Sequence, residues 1–363
     1  MRIHFGVLLA IVFAIFTAPA EAQVTPAAGY TPPDDTPSIK LGVTIFADYT
    51  IQQQPKTTDA DGNRVTLNQF QIGRSYLNVT GNISHAIAFR VTPDIVRETG
   101  SGSSLNGSYT FRLKYAYAQW NLDDHLTKGS FARFGIQQNP YFDFFESVYR
   151  YRFQGTTFTE REGYQSSADA GAAFRYNLPR NYGDIQTGFF NGENYNRPEV
   201  NDQKAFMIRG TVRPLPMHAL LRGFRVTAFL NKDAYVKNAD RTRALFTASY
   251  EHPYVNGAFE YQATTDQTSA TRDAVKGRGW SVFVTPKHPS GWEGLLRFDH
   301  NVPNTAQQRQ VRERTIAGVA YWFPHQGSVA TALMLDVDNA TFDGFTPAQP
   351  TQRRIAVHAY VGF

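Results

Sequence analysis

The segment RRIAVHAYVGF, residues 353–363, changes side-chain character at every step. Ile355, Val357, Ala359, Val361 and Phe363 share one face, with Arg354 on the other. A period of two is the signature of a β-strand, whose side chains point alternately to opposite sides. The same period runs through IKLGVTIFADYT (39–50), where Leu41, Val43, Ile45, Ala47 and Tyr49 are apolar and Lys40, Gly42, Thr44 and Asp48 are not. In YTFRLKYAYAQW (109–120) it sets Phe111, Leu113, Tyr115 and Tyr117 against Thr110, Arg112, Lys114, Ala116 and Ala118.

Read in this way, the chain holds sixteen strands, at 39–50, 68–80, 84–95, 109–121, 130–138, 166–177, 182–191, 203–213, 222–233, 241–251, 257–265, 278–286, 291–301, 310–323, 327–339 and 353–363. The register within 68–80 is ambiguous and is compatible with a bulge. Each run reaches the roughly nine residues that a tilted strand needs to cross a bilayer. The connections alternate in length. Short ones include GNIS (81–84), LPRNYG (178–183), HPYVNG (252–257), KHPSG (287–291) and PHQG (324–327). Longer ones fall between them at 51–67, 96–108, 139–165, 192–202, 266–277 and 340–352. An even strand number, with short turns at one end and long loops at the other, is the layout of an all-β transmembrane antiparallel barrel. A soluble all-β protein also alternates, but its strands average five to six residues around a dry core. Here the second face carries Arg, Lys, Asp or Glu on nearly every strand.

The ends agree with an exported barrel. MRIHFGVLLAIVFAIFTAPAEAQ reads as a signal peptide over 1–22, with a positive Arg2, an apolar run from Phe5 to Phe16 and cleavage expected after Ala22. A Pro-rich extension, 23–38, precedes the barrel, 39–363. A terminal Phe closing an alternating strand resembles the signal by which outer-membrane proteins are recognised for assembly. The chain has no cysteine, 28 Phe, 19 Tyr and a mean hydropathy of -0.40. Aromatics in a polar, cysteine-free exported chain fit a barrel with aromatic girdles and a wet interior. The net charge of +5 is spread in ones and twos, which argues against a nucleic-acid partner.

If the apolar positions face lipid, Arg90, Arg112, Lys114, Arg133, Arg175, Arg209, Arg213, Arg225, Arg297 and Arg354 face the lumen. Asp48, Asp94, Glu260, Glu293, Asp299, Asp336 and Asp338 face it too. Arg90, Arg112, Lys114 and Arg133 lie on three consecutive strands and should form one positive patch, which Arg74 joins if the register allows. Rings of Arg and Lys favour anions; the alternative is that inward cations simply pair with inward acids.

The densest segment is IQQNPYFDFFESVYRYRFQGTTFTEREGY, 136–164, within the third long connection. Its aromatics are costly in water, so the loop is expected to fold inward and bury Tyr141, Phe142, Phe144 and Phe145 against the wall. Asp143, Glu146, Arg150, Arg152, Glu160, Arg161 and Glu162 would then stand in the passage, and 139–165 would constrict it. A surface adhesion or ligand-gripping site, or a subunit interface, is the competing use of such a loop.

FQIGRSYLNVTGNISHAIAFRVTPDI (70–95), RFGIQQNPYFDFFESVYRYRF (133–153), FFNGENYNRPEVNDQKAFMIRGTVRPLP (189–216) and the terminal VGF resemble the phosphate-selective porin O and P family of Gram-negative outer membranes. The resemblance spans nearly all of the mature chain. It implies a trimeric sixteen-stranded barrel in the bacterial outer membrane, seated among lipid and lipopolysaccharide, with the third loop in the pore. In anion-specific members, Arg and Lys line the passage as a ladder. Arg90, Arg112, Lys114 and Arg133, with Arg150 and Arg152 of the loop, match that ladder by position. Asp143, Glu146, Glu160 and Glu162 depart from it and keep a non-selective diffusion pore open as the second reading.

Either way, the expected partners are small anionic or polar solutes, with no cofactor. A barrel enzyme needs a nucleophile and base on one rim. His85, His125, His218, His252, His288 and His325 lie in or beside short turns, His300 and His358 are isolated, and no Ser/His/Asp set assembles. No H-x-x-x-H or C-x-x-C spacing offers a metal site. An adhesive or structural barrel is a third class, although such a barrel can be narrow and filled.

Overall fold

A computed structural model describes residues 35–307, 309–325, 327 and 329–363. The expected signal peptide, and all of the extension before Asp35, lie outside the described residues. Sixteen strands follow: β1 Ser38–Thr58, β2 Arg64–Asn82, β3 Ile87–Arg97, β4 Tyr109–Asn121, β5 Phe131–Gln138, β6 Ala168–Leu178, β7 Gly183–Phe190 and β8 Ala205–Val212. The second half comprises β9 Phe224–Asp233, β10 Arg241–His252, β11 Val255–Asp266, β12 Val275–Pro286, β13 Trp292–Val302, β14 Val311–Trp322, β15 Ala330–Asp343 and β16 Gln352–Gly362. Each pairs antiparallel with its neighbours in sequence, and β1 meets β16 through Ala47↔Ala359 to close the barrel. Phe363 extends the seam, its N–H and carbonyl each bonding Val43 at 3.1 Å. Closure leaves no unpaired strand edge, the condition for strands to span hydrocarbon. No described helix is long and apolar enough to cross a membrane.

The alternation sorts as its chemistry requires. Phe70 and Phe111 are 83% and 73% exposed on the outside, whereas Asp94, Arg209 and Thr247 are fully buried inside. Strand pairs such as Tyr49 against Phe70 and Trp292 against Tyr321 put outward rings in contact, at 4.5 and 5.0 Å.

Two expectations need correction, and a third, a bulge in the strand at 68–80, is borne out. The connection 51–67 is mostly strand, because β1 and β2 continue their ladder to Thr58↔Arg64. The tip is only 59–63, closed by the Asp59 carboxylate, which accepts from the N–H groups of Asp61 (3.0 Å) and Asn63 (2.8 Å). Gly62, at φ +84°, supplies the left-handed step. Gly73 is the unpaired residue of the expected bulge, between Phe46↔Arg74 and Ala47↔Ile72, which settles the register of β2 and turns Arg74 and Tyr76 inward. The second correction is at Lys114, which is left over between Thr92↔Tyr115 and Pro93↔Leu113. Pro93 has no N–H to give to the ladder, and a bulge is where a strand tolerates proline. Beyond it the parity flips, so Tyr115 and Tyr117 face the lumen rather than lipid. Length alternation is also imperfect, since 213–223 is a long connection on the short-turn side.

At the short-turn end, residue 35 is tied to the barrel. The Asp35 carboxylate accepts the backbone N–H of His85 (3.0 Å) and meets its Nδ1 at 2.5 Å, while Nε2 lies 2.8 Å from Asp124. Hydrogen bonds to Asp35, then to Asp124, raise the His85 pKa. A raised pKa means that the clasp is complete below the ordinary imidazole range and weakens as pH climbs through the shifted value. NMR titration should find His85 titrating above a free imidazole, with Asp35→Asn lowering it; an unchanged pKa in the variant would remove Asp35 from the clasp.

Candidate pore constriction

The chain leaves β5 into the lumen. The Asn139 side chain caps α1 (Pro140–Val148), accepting from the N–H groups of Tyr141 (3.0 Å) and Phe142 (3.1 Å). Pro140 follows at the first turn, where its missing N–H has no cost. The Asn139 amide also donates to the Ser166 carbonyl at 2.8 Å, pinning the start of the loop to its end. The loop then sweeps round the wall and makes a short second helix, α2 (Phe158–Arg161).

Its apolar side chains are seated, as expected. Tyr141, Phe142, Phe144, Phe145, Val148 and Tyr149 are buried against an apolar strip that includes Phe229, Leu245, Phe283, Leu295, Ile316 and Met334. Those wall residues point inward from β9, β10 and β12 to β15. Tyr141 stacks on Phe145 at 5.2 Å and meets Phe229 at 5.6 Å; Tyr149 meets Phe283 edge-on at 5.1 Å. Each such ring contributes about 1.5–3 kcal/mol by leaving water.

Polar ties fix the azimuth. The Tyr141 hydroxyl donates to Glu260 and lies 2.9 Å from Thr247 Oγ1. The Tyr151 hydroxyl donates to Glu293 (2.7 Å), Gln154 to Asp336 (2.7 Å) and Thr159 to Gln262 (2.7 Å). Asn256 donates to the Val148 carbonyl at the end of α1 (2.7 Å), and Arg297 to the Thr156 carbonyl (2.8 Å). The loop therefore packs along the wall from β5 round to β16, and leaves open the side walled by β1 to β4.

The open side has its own charge pattern. Arg74 and Arg112 both pair with the fully buried Asp94, each at 2.9 Å. Lys114 donates to the Tyr76 hydroxyl at 3.1 Å, and Arg90 donates to Asn78 at 2.9 Å. Among the described residues, neither Arg90 nor Lys114 has a carboxylate within ion-pairing distance. Asp48 of β1, which accepts from the Gln71 amide at 2.9 Å, is the second acid of this side, and four cations against two acids leave the wall positive. Across the passage, Arg152 lies between Glu146 (3.1 Å) and Glu160, so the loop presents two acids on one cation. Arg150 pairs with Glu293 at 3.2 Å and lies 3.6 Å over the Trp322 ring. The field across the gap runs from wall to loop.

An opening of about 470 Å³ lies between them, with Arg90, Lys114, Glu146, Arg150 and Arg152 on its surface. On the long-loop side a second opening, of about 310 Å³, is lined by Arg74, Arg112 and Glu160 together with Tyr195, Arg197 and Arg241. Arg161 lines a separate recess with Arg314, Asp338 and Arg354. Arg133 and Asp143 do not join the patch that the strand order suggested. They pair at 3.2 Å behind α1, each 6% exposed, where Arg175 reaches the same carboxylate. Glu162 is likewise covered, held by Arg312 at 2.6 Å. Burial explains these three: α1 lies across the β5 wall, and the end of the loop presses on β14. Sequence reading put Tyr115 on the lipid face, because it lies beyond a bulge for which Pro93 was the visible signal, and left Tyr76 unassigned in a strand of open register.

No family model matches the chain, and no curated protein does. Solved structures do. An anion-selective porin from Comamonas acidovorans aligns with a TM-score of 0.63 at 12% identity, covering 90% of this chain and 100% of that one. The fold is that of the outer-membrane porins. OmpF of Salmonella typhi, solved with daunomycin, gives 0.61 at 13% over 91% of this chain and 98% of its own. The outer membrane channel DcaP of Acinetobacter baumannii gives 0.57 at 10%, over 93% and 100%. Identities this low carry the architecture alone.

The loop's seat is testable without conduction. Tyr141→Phe removes the hydroxyl that satisfies Glu260, which costs about 1–3 kcal/mol locally. Limited trypsin digestion of the folded variant should release fragments cut after Arg150 or Arg152 faster than for the parent chain. Equal resistance would show that the hydroxyl does not hold the loop.

Proposed function

We propose that the chain is an outer-membrane porin, a passive water-filled channel for small hydrophilic solutes with a preference for anions. The observation that carries this reading is the wall of Arg74, Arg90, Arg112 and Lys114, which sets four cations against the two acids Asp48 and Asp94 beside the open passage. Low-dielectric walls focus such charge and concentrate counter-ions. The belt of outward apolar side chains suits outer-membrane lipid, with lipopolysaccharide about the long-loop end. A homotrimer fits the same reading; one structural neighbour, OmpT of Vibrio cholerae folded in vitro, is known in a trimer form.

Strict phosphate selectivity is the narrower version of this proposal. Asp94, Glu146 and Glu160 sit among the cations and temper it, so a graded preference among small anions is the reading adopted.

Planar-bilayer recording of the purified protein in a potassium chloride gradient tests it. The reversal potential should take the sign set by chloride, and the double variant Arg90→Gln, Lys114→Gln should move it toward zero or past it. A potential of cation sign in the parent chain, or no movement in the variant, would overturn the anion preference. Absence of channels would overturn the porin reading itself.

A further inference from the structure

The opening beside the cationic wall is bounded on its other flank by rings that a water-filled lumen does not need. Trp322 meets Tyr360 at 5.6 Å, Tyr360 meets Phe46 at 5.8 Å and Phe46 meets Tyr76 at 5.9 Å, all between ring centroids. Tyr76 then lies 4.8 Å from Lys114 Nζ, which is 5.3 Å from the Tyr115 ring, and the Arg90 guanidinium lies 4.3 Å over that same ring. Trp322, Tyr360 and Phe46 pack against the buried cluster of the loop, yet each stays only partly covered. A continuous aromatic shelf thus leads, within one opening of about 470 Å³, to two cations without a carboxylate partner.

Inorganic phosphate or chloride would use the cations and leave the shelf idle. A neutral sugar could stack on the shelf, but the charged end offers donors whose strength only an anion repays. A flat apolar group with one carboxylate uses both ends. The size of the opening is within the range that holds small organic ligands, about 300–1,000 Å³.

We infer that this opening is a binding subsite for aryl carboxylates, with the carboxylate on Arg90 and Lys114 and the ring on Phe46, Tyr360 and Trp322. The inference rests on the channel reading above and names a solute class for it. Passage of such a solute would be slowed by residence at the subsite, which appears as interruption of the chloride current.

The test is single-channel chloride current of the full protein, with benzoate, acetate or benzyl alcohol added. Benzoate should interrupt the current at concentrations roughly tenfold below acetate, and benzyl alcohol should have little effect. Phe46→Leu should raise the half-blocking benzoate concentration severalfold while leaving acetate unchanged. Arg90→Gln should weaken both anions. Trp322→Phe, a milder change, guards against a Phe46 variant that fails to assemble and should weaken benzoate alone. Equal block by benzoate and acetate, or benzoate block unaltered by both aromatic variants, would overturn the subsite. If the channel has chloride sign and benzoate behaves as acetate, the subsite fails and the porin reading stands. Absence of channels fails both.

Discussion

Everything distinctive in this barrel depends on one packing event, the seating of an aromatic loop on an apolar strip inside the wall. A sixteen-strand barrel encloses more space than its own side chains fill. Here the filler is the connection between β5 and β6. Tyr141, Phe142, Phe145 and Tyr149 bury against Phe229, Phe283, Leu295 and Ile316. Burial alone is non-directional. The hydroxyls of Tyr141 and Tyr151, placed on Glu260 and Glu293, fix where the loop stops. Those acids need the loop in turn, because a buried carboxylate without a partner is costly.

The seat decides where water runs. With the loop against β5 to β16, the passage is displaced toward β1 to β4, so on the channel reading the charge that matters is that of four strands rather than of the whole lumen. The covered half settles its ions internally: Arg133 and Arg175 with Asp143, Arg297 with Asp299, Arg312 with Glu162. Such pairs stabilise little by forming, but breaking one exposes a buried charge and costs about 3–5 kcal/mol. The open half is left with an excess of positive charge, which on the proposed channel reading faces the solute. On that reading, structure and selectivity are set by the same loop.

Much of this was legible in the residues. Sixteen runs of period two and the aromatic crowd at 136–164 pointed to a barrel with an inward third loop. Two kinds of information were hidden. Bulges at Gly73 and Lys114 each invert the parity of a strand, so Tyr115 and Tyr117 were read as lipid-facing, and only Pro93 hinted otherwise. The second is the inward apolar strip. Phe229, Phe283 and Ile316 occupy positions where a wet lumen calls for polar side chains, and strand periodicity cannot say which of two apolar faces meets lipid and which meets a loop. Arg133 was misplaced for the same reason. Its strand neighbours predict a patch, but what covers it comes from a segment that periodicity does not describe.

The central claim is that the loop stands in the path of ions. Because the chain has no cysteine, Glu146→Cys provides a single target on the loop face of the passage. Single-channel current should be recorded while the anionic thiol reagent 2-sulfonatoethyl methanethiosulfonate is added. The account predicts a stepwise fall in current as the cysteine is modified. Current that stays level while mass spectrometry shows complete modification would contradict it.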